Sequence, residues 1–283
     1  MRTVFMRYPE GRAKAVTFSY DDGVKQDKRL AELFTQHGLK ATFNFTAEIP
    51  GGYTKEQVKD YFLDKGHEIA VHCAHHRANG NTRAIEGIRE VLDCRLFLEE
   101  LCDGIVRGMA YPDTGIRCMG SFITYEQIKA YLMELDIAYA RTLGKDNDGF
   151  MLPEDFHAWM PTGHHDNPQM LEWVDKFLAL DLSTDIYHAR RQSRLLYIWG
   201  HSYEFDRKNN WEHIEAICQK LAHRDELWYA TNIEICDYVQ AYRRLQYSAD
   251  GHRVANPTCT DVWMDVDGEI YKVPAGETIY IKA

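Results

Sequence analysis

The sequence predicts an α/β chain of parallel strands and crossover helices, either a barrel or an open sheet. From residue 14 to about residue 230, short runs rich in β-branched and aromatic residues alternate with stretches of helical periodicity. That rhythm belongs to successive β/α units. No low-complexity tract, internal repeat or Pro/Ser-rich linker interrupts it.

KAVTFSY (14–20) reads as a buried strand that meets a loop at Asp21-Asp22-Gly23. In DKRLAELFTQHG, Leu30, Leu33 and Phe34 have helical spacing and Gly38 is placed to cap the C-terminus. KATFNFTA (40–47) is a second strand, KEQVKDYFLDKG a helix closed again by glycine, and HEIAVH (67–72) a third strand. A long helix over Thr82–Leu101 precedes the strand and turn GIVRGMAYP, and a helix over Tyr125–Leu135 precedes IAYARTL. A helix over Pro168–Leu180 leads to RLLYIWGHS, and one over Glu212–His223 leads to ELWYATN.

After residue 246 helical periodicity ends, and Asp-Gly and Ala-Gly turn signals separate β-prone runs. The expected division is a β/α domain over 1–245 and a small β-rich extension over 246–283, a structural cap without metal-type or nucleophilic clusters.

The chain has 283 residues, 45% hydrophobic and 27% charged. A chain this long buries enough surface to need no disulfide or metal for its core, so a metal here would serve chemistry. The formal net charge of −10 makes phosphate backbones and anionic lipid poor partners. Seven cysteines, an odd number with no C-x-x-C pair, read as reduced thiols of a cytosolic protein. MRTVFMRYPEGRAKAV lacks the apolar core and cleavage site of a leader, and no apolar run is long enough to cross a bilayer. A cytoplasmic protein is expected, in an oligomeric state the sequence leaves open.

Three signals carry chemistry. Asp21 and Asp22 end a buried strand, where paired carboxylates need a cation or strong donors. One can hold a metal while the other faces water, although a solvated Asx-turn would look the same. His72 and His76 follow another strand, four residues apart. In a helical turn that spacing puts both imidazoles on one face. His67 reads as an ordinary core or surface residue and His75 as a bystander. Two histidines and a carboxylate suit zinc, or cobalt, iron or manganese, with open positions for water and substrate. His201 stands at the end of the apolar run LLYIWG; strand ends of parallel β/α folds converge on one face. It is either a general acid or a core histidine capping the strand.

TFSYDDG (17–23) and GHEIAVHCAHH (66–76) resemble the first two motifs of the polysaccharide deacetylases with the NodB homology domain, carbohydrate esterase family 4. The resemblance covers roughly residues 14–235 and implies a distorted (β/α) barrel with a substrate groove. It makes Asp21 the catalytic base, Asp22, His72 and His76 the ligands of a divalent metal, zinc first among them, and His201 the general acid. Cys73 stands where the family has Ser or Thr. The third motif appears as Met109-Ala110-Tyr111-Pro112-Asp113-Thr114-Gly115 without its arginine; Arg107 or Arg141 is left to orient Asp21, and the Asp113 N–H to donate to the oxyanion. For the fourth motif Asp155, Trp159, His164, His165 and Asp166 all qualify. Tyr111, Trp159 and Trp199 are assigned to substrate, with core packing the other reading of Trp159.

The implied reaction is hydrolytic removal of N-acetyl groups from an amino-sugar-containing saccharide, by water activated by Asp21 with His201 protonating the leaving group. O-deacetylation of xylan-like oligosaccharides, C–N hydrolysis of a small non-sugar amide, and a silent carbohydrate-binding barrel are the rivals. Without a leader, an intracellular oligosaccharide, a lipid- or nucleotide-linked sugar, or another small acetylated compound fits better than cell-wall polymer.

Overall fold

A computed structural model describes residues 3–182 and 191–282. The main sheet has eight strands: β2 (Lys14–Asp21), β3 (Thr42–Phe45), β4 (Glu68–Val71), β5 (Gly108–Ala110), β6 (Tyr139–Arg141), β7 (Gly163–His164), β8 (Arg194–Gly200) and β9 (Leu227–Tyr229), with β1 (Val4–Arg7) lying outside it. Every pairing in this sheet is parallel, in the order β6-β5-β4-β3-β2-β8-β7, and β9 joins β2 beside its first half. Segment 159–165 nearly closes the barrel. The Trp159 N–H bonds Ala140 O at 3.1 Å on the β6 side, and the Thr162 N–H bonds Tyr197 O at 2.7 Å on the β8 side. All eight residues of β2 are buried, as a central parallel strand covered on both faces requires.

Helices α1 (Asp27–Gln36), α2 (Lys55–Tyr61), α3 (Ala84–Cys102), α4 (Tyr125–Glu134), α5 (Met170–Leu178), α6 (Tyr203–Lys208), α7 (Trp211–Leu221) and α8 (Asn232–Arg243) complete the layer around the barrel. Gly38, at φ +67°, ends α1: the Leu39 N–H reaches back to Phe34 O at 2.9 Å, a turn that needs the left-handed backbone glycine adopts freely. α8 escapes the periodicity reading, yet Thr231 and Glu234 form a capping box at its start.

The C-terminal strands β10 (Gln246–Tyr247), β11 (Arg253–Ala255), β12 (Val262–Val266), β13 (Glu269–Val273) and β14 (Thr278–Tyr280) are antiparallel, as expected, but make two sheets. One of them includes β1, paired in register with β12 from Val4↔Val266 to Arg7↔Trp263. The N-terminal residues 4–7 therefore belong with the appendage. Arg7 fixes the join through a buried ion pair to Asp265 at 2.6 Å. Among the described residues no helix is long and apolar enough to cross a membrane.

His67, before β4, is a core residue, the first of the two places the sequence left open for it. Its Nδ1 accepts the Ala41 N–H at 3.2 Å, while Nε2 lies 3.2 Å from Ala31 O and 3.0 Å from Thr35 Oγ1. This arrangement suits the neutral ring, and burial pushes its pKa down from 6.5 to about 4. The unfolded chain thus binds a proton here before the folded one does. The stability His67 confers is complete above pH 6.5 and is lost as pH falls toward 4, by about 3 kcal/mol. Neighbouring Glu68 has the opposite sense: burial lifts it from 4.5 to about 7, so its effect is lost stability as pH rises through that window. The difference between wild type and His67→Gln isolates the histidine. Urea titrations at pH 7.5 and 4.5 are expected to show the smaller acid loss in His67→Gln; equal losses would exclude the effect.

Candidate active site

Asp21 is the last residue of β2, and its carboxylate is held on both sides. Arg141 Nη2 donates to Oδ2, and Asn44 Nδ2 donates to Oδ1 at 2.9 Å. Register explains Asn44, since Asp21 pairs with it across β2 and β3. Of the two arginines considered, Arg141 occupies the place; Arg107 lies on the surface, paired with Asp237 at 2.9 and 3.0 Å. Arg141 is fully buried, lies 4.6 Å over the Trp199 ring, and comes from β6, four strands along from β2.

Asp22, one residue on, has φ +84°, which turns its side chain from that of Asp21 toward the histidines. Its Oδ1 lies 3.5 Å from His72 Nε2 and 3.4 Å from His76 Nε2, and it is buried with no hydrogen-bond partner among the described residues. His72 Nδ1 lies 2.9 Å from Ala110 O, a contact that places the ring proton on Nδ1 and leaves the Nε2 lone pair facing Asp22. Three donor atoms therefore converge, all within 4.8 Å of one another. An unpartnered buried carboxylate oxygen facing two imidazole lone pairs is repulsive unless a cation lies between them, so the set fits a divalent metal. Burial lifts the Asp22 pKa, but its histidine neighbours, His72 first and then His201 and His76, outweigh it and hold it low.

The i, i+4 histidines are not on a helical turn. Residues 72–76 form a loop in which Cys73 (φ +59°) and His76 (φ +54°) are left-handed, bringing the two rings to 4.9 Å. Glu90 of α3 anchors this loop. Its backbone O accepts the Ala74 N–H at 2.8 Å, and its carboxylate accepts the His75 N–H at 2.8 Å. His75 pairs with Glu90 as well, away from Asp22. The buried Cys73 thiol donates to Asn79 Oδ1 at 3.4 Å, doing for the loop what a hydroxyl would.

His201 follows β8, with Nδ1 3.5 Å from Glu204 Oε1. Burial lowers its pKa, yet the neighbouring Glu204 carboxylate and the charges of Asp21 and Asp22 raise it above 6.5. Trp199, partly exposed on β8, stands 5.7 Å from the His201 ring and borders the site. Asp113 is exposed, with φ +52°, in the turn after Pro112.

Two substrate assignments are corrected. Tyr111 is 2% exposed and its hydroxyl donates to His157 O at 2.9 Å, so it is a strut beneath the loop. Trp159 is 1% exposed and packed edge-on against Tyr139, Phe156 and Tyr197, so the core-packing reading holds. Asp155 also leaves the site: it accepts from Tyr125 Oη at 2.7 Å and Lys129 Nζ at 2.8 Å. His164, by contrast, lies 4.7 Å from Trp199 and 6.2 Å from His201. Sequence reasoning gave no role to Asn44 or Glu204; a polar residue inside the apolar run TFNF and a carboxylate three residues after His201 were the available signals.

Comparisons with known proteins bear on the fold. Residues 8–117 match the family model for polysaccharide deacetylase. No curated protein matches the sequence. In fold, the chain is similar to a Mycobacterium smegmatis protein provisionally assigned as a polysaccharide deacetylase, with TM-score 0.57 and 15% identity over 83% of this chain and 93% of that one. It is also similar to the Xyl-CE4 domain of a multidomain xylanase from the hindgut metagenome of Trinervitermes trinervoides (TM-score 0.51, 16% identity, 84% and 98% covered). Peptidoglycan deacetylase PdaC from Bacillus subtilis gives TM-score 0.51 at 14% identity, with 82% and 93% covered. At these identities the likeness speaks for the fold, a distorted (β/α) barrel, and the match to the polysaccharide deacetylase model covers residues 8–117 of the chain.

Proposed function

We propose that this protein is a metal-dependent hydrolase that removes N-acetyl groups from an amino-sugar-containing saccharide. The observation that carries this reading is the convergence of Asp22 Oδ1, His72 Nε2 and His76 Nε2 beside a carboxylate, Asp21, held by Arg141 and Asn44. Asp22, His72 and His76 would hold the ion, zinc first, with cobalt, iron or manganese fitting the same donors. When bound, such an ion lowers the pKa of water from about 16 toward about 7 and polarises a carbonyl.

The chain's own groups supply the rest. Asp21 accepts the water's proton; its fixed bonds to Arg141 and Asn44 hold the carboxylate in one orientation. The Asp113 N–H, in the turn after Pro112, is the donor proposed for the oxyanion. His201, kept protonated to higher pH by Glu204, Asp21 and Asp22, delivers a proton to the leaving nitrogen. Trp199 offers a partly exposed aromatic wall beside His201 for a sugar face.

The seven cysteines are free thiols, four of them buried, which supports a reducing compartment and so the proposed cytoplasmic location. Acetate release from N-acetylglucosamine oligomers and from acetylated xylo-oligosaccharides, measured side by side, tests the substrate. Release from the first and not the second is expected. The reverse would make the protein an O-acetyl esterase.

A further inference from the structure

A second group of metal-type side chains lies beside His201. His164 and His165, at the end of β7, and the adjacent Asp166 meet Glu204 of α6. Glu204 Oε2 is 3.0 Å from His164 Nε2 and 3.3 Å from His165 Nε2, and Asp166 Oδ2 is 3.4 Å from His165 Nε2. One donor atom from each of the four falls within 4.8 Å of every other.

His165 makes this more than a charged cluster. It is wholly buried, and neither ring nitrogen has a hydrogen-bond partner among the described residues. Leaving such atoms dry is costly unless something else satisfies them. The ring cannot turn away: Phe205 stacks on it at 4.3 Å and Tyr20 at 5.7 Å. Gly200 sits so close that a Cβ there would lie 1.9 Å from Nδ1. The clamp aims Nε2 at the two carboxylates. A cation already visits the site, since Lys208 Nζ bonds Asp166 Oδ2; its side chain is 49% exposed and free to leave.

We propose that His165, Asp166 and Glu204, with His164 as fourth ligand, form a second divalent-cation site, separate from Asp22, His72 and His76. Two imidazoles and two carboxylates suit zinc, cobalt or manganese over magnesium or calcium. His164 is the outermost donor: its Nδ1 accepts the Asp166 N–H at 3.2 Å, which puts the ring proton on Nε2 facing Glu204, so ligation through Nε2 would displace that proton. Because Glu204 Oε1 also faces His201 Nδ1 at 3.5 Å, the same carboxylate would join the second ion to the histidine at the edge of the first site.

The test is metal content of the full chain, loaded with zinc, dialysed and measured by inductively coupled plasma mass spectrometry. Wild type is expected to retain two ions per chain. Asp166→Asn, Glu204→Gln and Asp22→Asn are each expected to retain one, with circular dichroism showing each variant folded. Lys208→Ala, an exposed change that removes the competing ammonium, is expected to tighten the weaker ion several-fold in a calorimetric zinc titration. Wild type holding a single ion that Asp22→Asn removes would overturn the proposal. So would a second ion that survives both Asp166→Asn and Glu204→Gln, or a Lys208→Ala titration identical to wild type.

Discussion

Asp21→Asn is expected to lower the rate of acetate release by about 10²–10⁴-fold, the range that one general base contributes, while the protein keeps its metal at Asp22, His72 and His76. The substitution is well tolerated by its surroundings. The new amide can keep its oxygen on Arg141 and turn its NH₂ toward Asn44, which today donates to both Asp21 Oδ1 and Ser19 Oγ. Asn44 Oδ1 has no partner at present, so a flip of that amide would let it accept from the new NH₂. The remaining cost is a buried guanidinium facing a neutral group, against which removal of a whole partner is worth about 3–5 kcal/mol. Asp21→Ala would leave Arg141 with nothing and is the poorer test. Steady-state kinetics with metal content measured on the same sample decides the matter. A near-normal rate with metal bound would remove Asp21 from the role of base.

His72→Ala is expected to do something different: to lose metal and activity together. His72 contributes Nε2 to the three-atom set, and its Nδ1 contact with Ala110 O fixes the ring. Altering residues that merely orient a ligand costs about 10–100-fold in metal affinity. Removing the ligand itself is expected to exceed that. Titration with zinc against a competing chelator measures the loss. Tight binding in His72→Ala would show that the ion rests on other residues.

The contrast between these two variants reflects how the site is divided along the chain, and most of that division was legible. TFSYDD placed two carboxylates at a strand end, and β2 delivers them there with its neighbours' ends beside it. What the periodicity could not carry was handedness and distance. The His72–His76 spacing fits a helix, yet two non-glycine residues at positive φ make the approach, a conformation that composition does not announce. Aromatic residues near a motif read equally as groove or core. Trp159 went to the core because segment 159–165 closes the barrel there, and Tyr111 because its hydroxyl is tied to His157 O, whereas Trp199 on β8 remains partly exposed. The pairing of β1 with β12 joins residues more than two hundred and fifty positions apart, beyond any local pattern. Arg141 was one of two arginines that the missing third motif left open; the parallel register of β5 and β6 carries it to Asp21. α8 was there to be found in Thr231 and Glu234, a local capping signature that a search for apolar periodicity passes over.

The most direct measurement of the metal site is an anomalous difference map from crystals grown with zinc and collected at the zinc edge. A peak bonded to Asp22 Oδ1, His72 Nε2 and His76 Nε2, with Asp21 beside it and still bonded to Arg141, is the expected result. No peak among those three atoms in zinc-loaded, active protein would contradict it.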